Sequence, residues 1–388
     1  MTITWLPACA GMTNTWIPAC AGKTTMSITL EQVHTALKGV IDPNTGRDFL
    51  ATKSARNIKV DGNDISLDVE LGYPAKSQVD PLRREVIKAL KALPGAGAVS
   101  ANVTVKIVAH AVQRGVKPLP NVKNIIAVAS GKGGVGKSTT AVNLALALAA
   151  EGAAVGVLDA DIYGPSQPQM LGISGRPESK DGKTLEPMEN HGVQASSIGF
   201  MIDIATPMVW RGPMVTQALE QLLKETNWRD LDYLVVDMPP GTGDIQLTLA
   251  QKVPVTGAVI VTTPQDIALL DARKGLKMFE KVGIPILGVV ENMSMHICSN
   301  CGHAEPIFGE GGGARMSKDY GIDLLGQLPL DISIREHADS GRPTVVSDPE
   351  GKVSEIYKSI ARKVAVKIAD SMKDMTGKFP NIVVSKNT

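Results

Sequence analysis

A glycine-rich segment in the middle of the chain has the residue types that bind a nucleoside triphosphate. It fits the P-loop pattern in full, because Gly131 is followed after four residues by Gly136, Lys137 and Ser138. Glycines let backbone N–H groups point into one concavity, and the positive dipole end of a following helix helps to hold phosphate. We expect Lys137 to reach the β- and γ-phosphates and the Ser138 hydroxyl to bind Mg²⁺. The residues expected to contact the nucleotide here are Gly131, Lys132, Gly133, Gly134, Val135, Gly136, Lys137, Ser138 and Thr139.

The elements around this segment agree with that interpretation. An apolar run at 125–129 precedes it, and a helical pattern follows it as far as Leu148. A strand, a loop and a helix in this order are the context that a P-loop requires. The alternative is a glycine-rich turn without a ligand, which these two neighbours disfavour. A second lysine, Lys132, stands early in the loop, where an ordinary P-loop does not need one.

Carboxylates follow two apolar runs further along the chain. Asp159 and Asp161 end one run, and Asp237 ends another. Because ligands bind at the carboxyl ends of strands in open α/β sheets, we expect Asp159 and Asp161 to hold Mg²⁺ through water and to orient the attacking water. Asp237 has the Walker-B position that supports Mg²⁺, and the glycine-rich loop 239–244 after it suits a switch upon hydrolysis. The alternative for 159–161 is an Asp-rich turn.

The elements that must position these residues are predicted by apolar runs of strand length that alternate with helical patterns. The runs lie at 125–129, 154–158, 233–236, 258–262, 285–290 and 324–328. Such runs are typical of strands buried on both faces, so we predict an α/β fold, a doubly wound and mostly parallel sheet, over residues 123–370. The last amphipathic helix carries apolar residues from Val353 to Val364. Its other side carries Lys358, Arg362, Lys363 and Lys367. We expect this helix to pack on the sheet; the alternative is a helix on a membrane surface.

A small α+β domain is predicted ahead of the sheet, over residues 27–112. A capping-box pattern at Thr29 and Gln32 opens its first helix. Alternating apolar residues then predict two strands, an amphipathic helix and a last strand at 103–107, which gives the order α-β-β-α-β. A linker with two prolines follows at 113–122, and a polar tail, 371–388, ends the sequence.

The first 26 residues contain a near-exact repeat, in which the sequence from Thr4 to Thr13 returns eleven positions later. A repeat with Trp and Cys could be a metal or partner tag. We favour a translated repetitive DNA element without ordered structure, with the working start at Met26. Segment 1–26 also lacks the basic start and continuous apolar core of a signal peptide. We therefore discount Cys9 and Cys20 as ligands.

The composition excludes several classes of protein. With 43% hydrophobic and 20% charged residues, the chain is typical of a soluble globular protein. A net charge of +1 gives no electrostatic reason to propose nucleic-acid binding. No apolar run is long enough to span a membrane. Four cysteines are too few for a disulfide scaffold, so we expect a cytoplasmic protein.

Cys298 and Cys301, separated by two residues, are the candidate metal ligands. Two thiolates hold one edge of a metal centre, but four are needed to close it. We therefore expect a symmetric homodimer to supply both cysteines from each subunit, for an iron–sulfur cluster or zinc. We expect His303 to be a hydrogen-bonding loop residue, and the alternative is a third ligand. A thioredoxin-type redox pair remains a further alternative.

The segment 131–139 resembles the deviant Walker A motif of the MinD, ParA and nitrogenase iron-protein class. In that class the early lysine reaches the nucleotide phosphates of the opposite subunit in a sandwich dimer. The resemblance therefore implies that Lys132 acts in trans, as an arginine finger does. It also implies that Asn292 hydrogen-bonds adenine, which favours ATP over GTP.

The segments 159–166 and 237–244 narrow the resemblance to the Mrp/ApbC-type iron–sulfur cluster carriers, over about residues 122–365. The small domain resembles that of MIP18-type assembly factors around residues 40–43. The resemblance implies a [4Fe–4S] cluster shared between two subunits at Cys298 and Cys301. The family usually has proline where Ser299 stands here, but both ligands are intact.

These observations predict a homodimeric ATPase that transfers a dimer-bridging [4Fe–4S] cluster to apoproteins. ATP and Mg²⁺ are its expected cofactors, and its expected partners are apo iron–sulfur proteins and assembly factors. The expected catalytic residues are Lys132, Lys137, Asp161 and Asp237. The alternative is a MinD/ParA-like positioning ATPase that carries a structural zinc at the cysteine pair.

Overall fold

The structure is a computed structural model that describes residues 27–113, 115–202, 211–298 and 300–371. Outside the described residues lie Cys9 and Cys20 with the whole repeat segment, Ser299, and the tail from residue 372. What the sequence predicts for them stays a prediction.

The small domain has the order of elements that the sequence predicts. Its elements are α1 (Leu30–Lys38), β1 (Ala55–Asp61), β2 (Asp64–Leu71), α2 (Val79–Lys91) and β3 (Val99–Val105). Strand β1 pairs antiparallel with β2, and β2 pairs parallel with β3. The capping box is confirmed, because the Gln32 N–H donates to Thr29 Oγ1 over 3.3 Å and the Thr29 N–H donates to Gln32 Oε1 over 2.9 Å.

Alternation along the strands buries one face of this small sheet. Residues Ile65, Leu67, Val69 and Leu71 of β2 are all at most 3% exposed. Helices α1 and α2 contact each other and the sheet, so they cover this face. Strand β3 begins at Val99, earlier than the predicted run, because the small residue Ala101 already supplies a buried position.

The larger domain is built on a central sheet. The strands of this domain are β4 (Val122–Ser130), β5 (Val155–Asp159), β6 (Met188–Asn190), β7 (Val193–Ser197), β8 (Leu231–Asp237), β9 (Gly257–Thr262), β10 (Ile286–Glu291), β11 (His296–Ile297), β12 (Ala304–Glu305) and β13 (Leu324–Gln327). Strands β11 and β12 form a separate hairpin, and the other strands form the central sheet. Within the described residues, the central sheet has 8 strands in the order β13-β10-β9-β4-β8-β5-β7-β6, and β6 is the one strand that runs antiparallel to its neighbour.

Helices cover both faces of this sheet. They are α3 (Lys137–Ala150), α4 (Gln167–Met170), α5 (Gly212–Glu225), α6 (Asp244–Lys252), α7 (Asp266–Lys281), α8 (Gly312–Tyr320), α9 (Ile332–Asp339), α10 (Thr344–Ser347) and α11 (Lys352–Ala369). Two separate apolar cores, one on each face, include alternate residues of the same strand: Ile126 and Val128 of β4 belong to one, and Ile125 and Ala127 to the other. The doubly wound α/β fold is therefore confirmed.

The six predicted strands are confirmed as β4, β5, β8, β9, β10 and β13. Strand β4 lies in the middle of the sheet. Strand β5, which follows it along the chain, lies to one side of β4, whereas β9 and β10 lie to the other. The strand order thus reverses at β4, and ligands bind at such a switch point in open α/β sheets. The carboxyl ends of β4, β5 and β8 meet there.

Helix α11 packs on the sheet domain, as predicted. It contacts α3 and β13, and its residues Tyr357, Ile360 and Val364 are at most 1% exposed. The expectation that Arg362 lies on the outer side is wrong, since its side chain is 8% exposed. The reason is a buried partner: Arg362 Nη1 lies 2.6 Å from Glu151 Oε1, which compensates the buried charge.

The small domain contacts the far end of α3, where Glu151 follows the helix. The Glu151 carboxylate accepts hydrogen bonds from the N–H and the hydroxyl of Ser77, over 3.0 and 2.7 Å. The Glu151 carbonyl accepts a further bond from the Lys76 N–H over 3.0 Å. In the part of the chain that the structure describes, no helix is long and apolar enough to cross a membrane.

Candidate functional site

The glycine-rich loop 131–136 joins the end of β4 to the start of α3. Gly131 is required by a close approach, because a Cβ on this residue would lie 2.1 Å from the carbonyl carbon of Asp271 in α7. Gly136, which precedes the first residue of α3, has a φ of 80° in the left-handed region that favours glycine. A Cβ on Gly136 would also lie 2.2 Å from the Asn292 amide nitrogen. These two glycines fix the loop against α7 and against the end of β10.

The Lys137 ammonium makes a buried ion pair with Asp237 Oδ1 at the end of β8. The same ammonium lies 3.1 Å from the Ser138 hydroxyl. Lys137 is 6% exposed and Asp237 is fully buried. The structure therefore brings together the lysine, the hydroxyl and the Walker-B carboxylate that the sequence assigns to phosphate and Mg²⁺.

Asp159, at the end of β5, is fully buried and holds the loop that follows it. Its Oδ2 accepts hydrogen bonds from the N–H groups of Ser166 and Gln167, both over 3.0 Å, and from the Ser197 hydroxyl over 3.2 Å. Its Oδ1 accepts the Asp161 N–H over 3.1 Å. Burial and the nearby Asp237 carboxylate raise the pKa of Asp159 to about 7. Asp159 thus fixes the backbone of loop 160–167 beside the P-loop.

Asp161 is half-buried at the entrance to that loop, and its Oδ1 accepts the Gly164 N–H over 3.3 Å. Burial raises the pKa of Asp161, while the Lys137 ammonium opposes this shift. The site therefore gathers three carboxylates and a serine hydroxyl around one ammonium group. With the phosphates of a bound nucleotide, the Ser138 hydroxyl and the Asp237 carboxylate would provide oxygen ligands for Mg²⁺, which is usually held by only one or two protein carboxylates.

Asn292 follows β10 and lies against the P-loop, with 8% of its surface exposed. Its side-chain Nδ2 donates to the Val135 carbonyl over 2.9 Å, and its backbone N–H donates to the Thr262 carbonyl over 2.8 Å. The Lys132 side chain is half-buried, and its ammonium pairs with no carboxylate among the described residues. Lys132 in the P-loop and Asn292 beside it thus both lie at the carboxyl ends of the strands, where the nucleotide is expected.

The second site is the cysteine hairpin, residues 296–305, which comprises β11, β12 and the turn between them. The Cys298 N–H donates to the His303 carbonyl over 2.9 Å, and the Gly302 N–H donates to the Cys298 carbonyl over 2.8 Å. Both thiols are free, Cys298 half-buried and Cys301 exposed. Hydrogen bonds from the backbone N–H groups of Cys301 and Asn300 lower the pKa of Cys298, which favours its thiolate form.

A short connecting segment, residues 292–295, joins the nucleotide site to the cysteine hairpin. Its backbone is bonded on both sides, because the Ser294 N–H donates to the Leu328 carbonyl over 3.0 Å and the Leu330 N–H donates to the Met295 carbonyl over 2.9 Å. Next to it, His296 Nδ1 lies 3.1 Å from the Leu330 carbonyl oxygen. The hairpin is therefore held to the segment that follows β13, directly beyond the residue that contacts the P-loop.

In the described part of the chain, the two cysteines do not belong to a larger group of possible metal ligands. Across the described ranges, no group of three or more His, Cys, Asp or Glu side chains is placed to hold a metal ion. The carboxylates and the P-loop meet at one edge of the sheet, whereas the cysteines stand apart on the hairpin.

Two buried residues that organise these sites could not be recognised from the sequence. Gln167, the first residue of α4, donates from Nε2 to Asp237 Oδ2 over 2.8 Å. Glu291, the last residue of β10, accepts the Gly313 N–H at the start of α8 and a hydrogen bond from Gln327 over 2.6 Å. The only available signal was position, since Gln167 closely follows Asp161 and Glu291 directly precedes Asn292.

Comparisons with known proteins agree with this geometry. The sequence profile of the family described as NUBPL iron-transfer P-loop NTPase matches residues 121–365, and that of a family described as iron-sulfur cluster assembly protein matches residues 30–103. An iron-sulfur cluster carrier protein of Pseudomonas fragi is 62% identical over 275 residues, which cover 70% of this chain and 96% of that protein. The mouse iron-sulfur cluster transfer protein NUBPL is 51% identical over 257 residues, covering 66% of this chain and 81% of that protein.

A solved structure shows the same similarity. The nucleotide-binding protein of Archaeoglobus fulgidus, in complex with ADP, is 37% identical with a TM-score of 0.53, and the match covers 60% of this chain and 90% of that one. The family resemblance seen in the sequence is confirmed. Since the first profile matches well over half of the sequence, the chain belongs to the family of NUBPL iron-transfer P-loop NTPases.

Proposed function

We propose that this protein binds and hydrolyses ATP and carries an iron–sulfur cluster that it delivers to apoproteins. The observation that supports this proposal most directly is the connection between the two sites. The free thiols of Cys298 and Cys301 lie on a hairpin joined by a short, hydrogen-bonded segment to Asn292, which contacts the P-loop. The relatives from Pseudomonas fragi and mouse are named as a carrier and a transfer protein of such clusters.

The cargo in this proposal is a [4Fe–4S] cluster held between two copies of the chain. Four thiolates close such a cluster, and Cys298 and Cys301 provide two. Within the described residues, the two cysteines do not belong to a group of three or more possible metal ligands. This supports a second copy of the chain as the source of the other two thiolates. A two-fold axis through the cluster would place the same two cysteines of each copy on it. Free thiols also fit a cytoplasmic, reducing location.

ATP hydrolysis at the P-loop requires mainly positioning and charge. The loop N–H groups hold the phosphates, Lys137 turns from Asp237 to the β- and γ-phosphates, and Asp161 orients the attacking water. Asn292 can face the adenine with the second hydrogen and the oxygen of its amide. When bound, Mg²⁺ would be held by the Ser138 hydroxyl and, through water, by Asp237, and it would neutralise phosphate charge. Lys132 of a second copy would add positive charge in trans.

Coupling between ATP and the cargo would pass through the connecting segment. A shift of the P-loop on nucleotide binding moves Asn292 because the two are hydrogen-bonded. The segment 292–295 is bonded to the chain around residues 328–330 on the way to the hairpin, so the shift reaches the cysteines. We propose that ATP clamps the dimer and that hydrolysis loosens it, which changes how the cluster is held and allows delivery.

The test is anaerobic reconstitution of the full chain with ferrous iron and sulfide. We expect a broad visible absorption, which disappears when Cys298 and Cys301 are both replaced by Ala. The matched control replaces Cys9 and Cys20 by Ala and should keep the absorption, since neither is a predicted ligand. Delivery is measured by mixing the reconstituted protein with an apo-ferredoxin and following the cluster into the acceptor, with and without Mg²⁺-ATP.

Three results would contradict the proposal in different ways. A colourless protein that holds one zinc per two chains would favour the positioning ATPase with a structural metal. Colour that survives loss of Cys298 and Cys301 would place the cluster elsewhere. Transfer at the same rate with and without ATP would remove the coupling but leave the carrier role.

A further inference from the structure

Gln167 lies between the two motifs that hold phosphate and Mg²⁺ in P-loop proteins. Its side chain is 1% exposed. Its Nε2 donates to Asp237 Oδ2 over 2.8 Å and to the Ser138 carbonyl over 3.2 Å. Both acceptors belong to the nucleotide site, since Asp237 ends β8 and Ser138 lies in the first turn of α3. The carboxamide thus joins the Walker-B strand to the P-loop helix.

The orientation of this carboxamide is fixed by its neighbours. The Gln167 backbone N–H donates to Asp159 Oδ2 over 3.0 Å, and a proline follows at 168. Because both atoms near Nε2 are acceptors, the amide nitrogen and not its oxygen must face them. Asp159 therefore fixes the backbone, and Asp237 fixes the side chain.

The Gln167 oxygen, Oε1, is the unexplained part of this arrangement. It is buried, and it has no hydrogen-bond partner within the described part of the chain. Buried polar atoms in native proteins are nearly always hydrogen-bonded, to protein or to water. An acceptor at this place, on the carboxamide that contacts Asp237, is suited to a water molecule on a Mg²⁺ ion, since such water donates strongly.

The Asp237 carboxylate has two side-chain contacts among the described residues, and the one from Gln167 becomes important when Lys137 moves. One of its oxygens pairs with Lys137 and the other accepts from Gln167. If Lys137 turns to the phosphates of ATP, the first contact is lost and Gln167 provides the side-chain contact that remains. A carboxylate that keeps one hydrogen bond also keeps its orientation toward the metal, because groups that hydrogen-bond a metal ligand orient that ligand.

We propose that Gln167 is a positioning residue for Mg²⁺-ATP. It holds the Asp237 carboxylate in place after Lys137 has moved, and its Oε1 accepts a hydrogen bond from a water molecule of the Mg²⁺ shell. This inference rests on the proposed ATP site. It assigns to α4 a part in the binding of the metal–nucleotide complex, and it predicts that the residue matters only when Mg²⁺ is present.

The test uses the full chain with the substitution Gln167→Leu, which keeps the size of the side chain and removes both polar atoms. Binding of a fluorescent ATP analogue is measured in EDTA and then during a titration with Mg²⁺. We expect unchanged affinity in EDTA and about a ten-fold higher Mg²⁺ concentration for half-saturation, the loss that one charge-assisted hydrogen bond predicts. Gln169→Leu is the matched control, because Gln169 is exposed on the same helix, and it should bind like the wild type.

A merely structural role would lower thermal stability and weaken binding equally with and without Mg²⁺, which would overturn the proposal. So would an unchanged Mg²⁺ dependence in the folded variant. If Gln167→Leu does not fold, Gln167→Met provides the same test with a more flexible side chain. A wild-type protein that binds no ATP analogue at all would refute the proposed function itself and this inference with it, whereas normal wild-type binding with insensitive variants would refute the inference alone.

Discussion

The Lys137 ammonium is shared between Asp237 and the Ser138 hydroxyl, and it also acts on the carboxylates of Asp159 and Asp161. A single positive charge thus faces several negative ones in a buried place, where uncompensated charge is costly. A nucleotide would bring more negative charge. We therefore propose two additional cations: Mg²⁺, which supports ATP binding, and Lys132 of a second copy, which supports hydrolysis.

Substitution of Lys132 by Ala tests the second of these cations. We predict that ATP still binds, because Lys137 and the loop N–H groups of the same chain remain, while turnover falls by about 10³-fold, as on loss of an arginine finger. The measurement is steady-state hydrolysis beside binding of a fluorescent ATP analogue, with Lys318→Ala, at an exposed position, as the control.

Action in trans has its own signature. Lys132→Ala chains mixed with Lys137→Ala chains should recover part of the activity that neither has alone, because a mixed dimer keeps one complete site. Wild-type turnover of Lys132→Ala, or no recovery in the mixture, would rule out the assignment.

Gly136 and Gly133 make a matched pair in the same loop. Gly136→Ala should destabilise the protein by at least about 2 kcal/mol, because a residue with a side chain is strained at this φ and its Cβ meets the Asn292 amide. Gly133→Ala should change little, since a Cβ added to Gly133 would have no neighbour within 4 Å among the described residues. Chemical denaturation of both variants decides the matter, and equal stabilities would show that Asn292 does not constrain the loop.

At the scale of elements, the strands around the site could be predicted because each is an apolar run buried on both faces. Strand β7 could not, since its serines Ser196 and Ser197 are buried with their hydroxyls bonded to Thr226 and Asp159. Such partners are distant in sequence, and no local pattern reveals them. The strands of the cysteine hairpin could not be predicted either, because two residues each are too few for a periodicity.

The same reason explains why the sequence predicts the wrong side of α11 for Arg362 and gives no role to Gln167. A helical pattern puts Arg362 on the same side of α11 as three lysines, and only the fold brings Glu151 to it. Gln167 becomes significant only when β5 and β8 lie side by side in the sheet. Sequence was sufficient to predict the P-loop, the carboxylates and the cysteine pair, because residue type and spacing indicate their chemistry. The contacts that support these residues depend on the fold and could not be predicted in this way.

The Arg362–Glu151 ion pair allows the packing of α11 against α3 to be tested. Arg362→Met should lower the free energy of unfolding by about 3 to 5 kcal/mol, because it leaves the Glu151 carboxylate buried without a positively charged partner. Arg335→Met is the control: Arg335 has an exposed ion pair with Asp339, whose loss should change stability by less than about 1 kcal/mol. Adding Glu151→Gln to Arg362→Met should restore part of the loss, and the lack of any restoration would mean that the pair is not the cause.

For the whole molecule, α3 joins the nucleotide site to the small domain. It has 14 residues and is therefore about 21 Å long at 1.5 Å per residue. Its first residue, Lys137, lies in the nucleotide site, and Glu151 directly beyond its end is bonded to Ser77 of the small domain. The small domain is thus hydrogen-bonded to the helix that begins at the P-loop, at the end of this helix away from the P-loop.

In the function that we propose, two copies of the chain share one [4Fe–4S] cluster through Cys298 and Cys301. Native mass spectrometry of the anaerobically reconstituted protein tests this claim most directly, because it reports chains, iron and sulfide in one species. We predict a dimer with four irons and four sulfides per two chains, and apo-monomers with no bound iron for the Cys298→Ala variant. A complete cluster on a single chain, or a wild-type dimer that holds zinc and no iron, would contradict it.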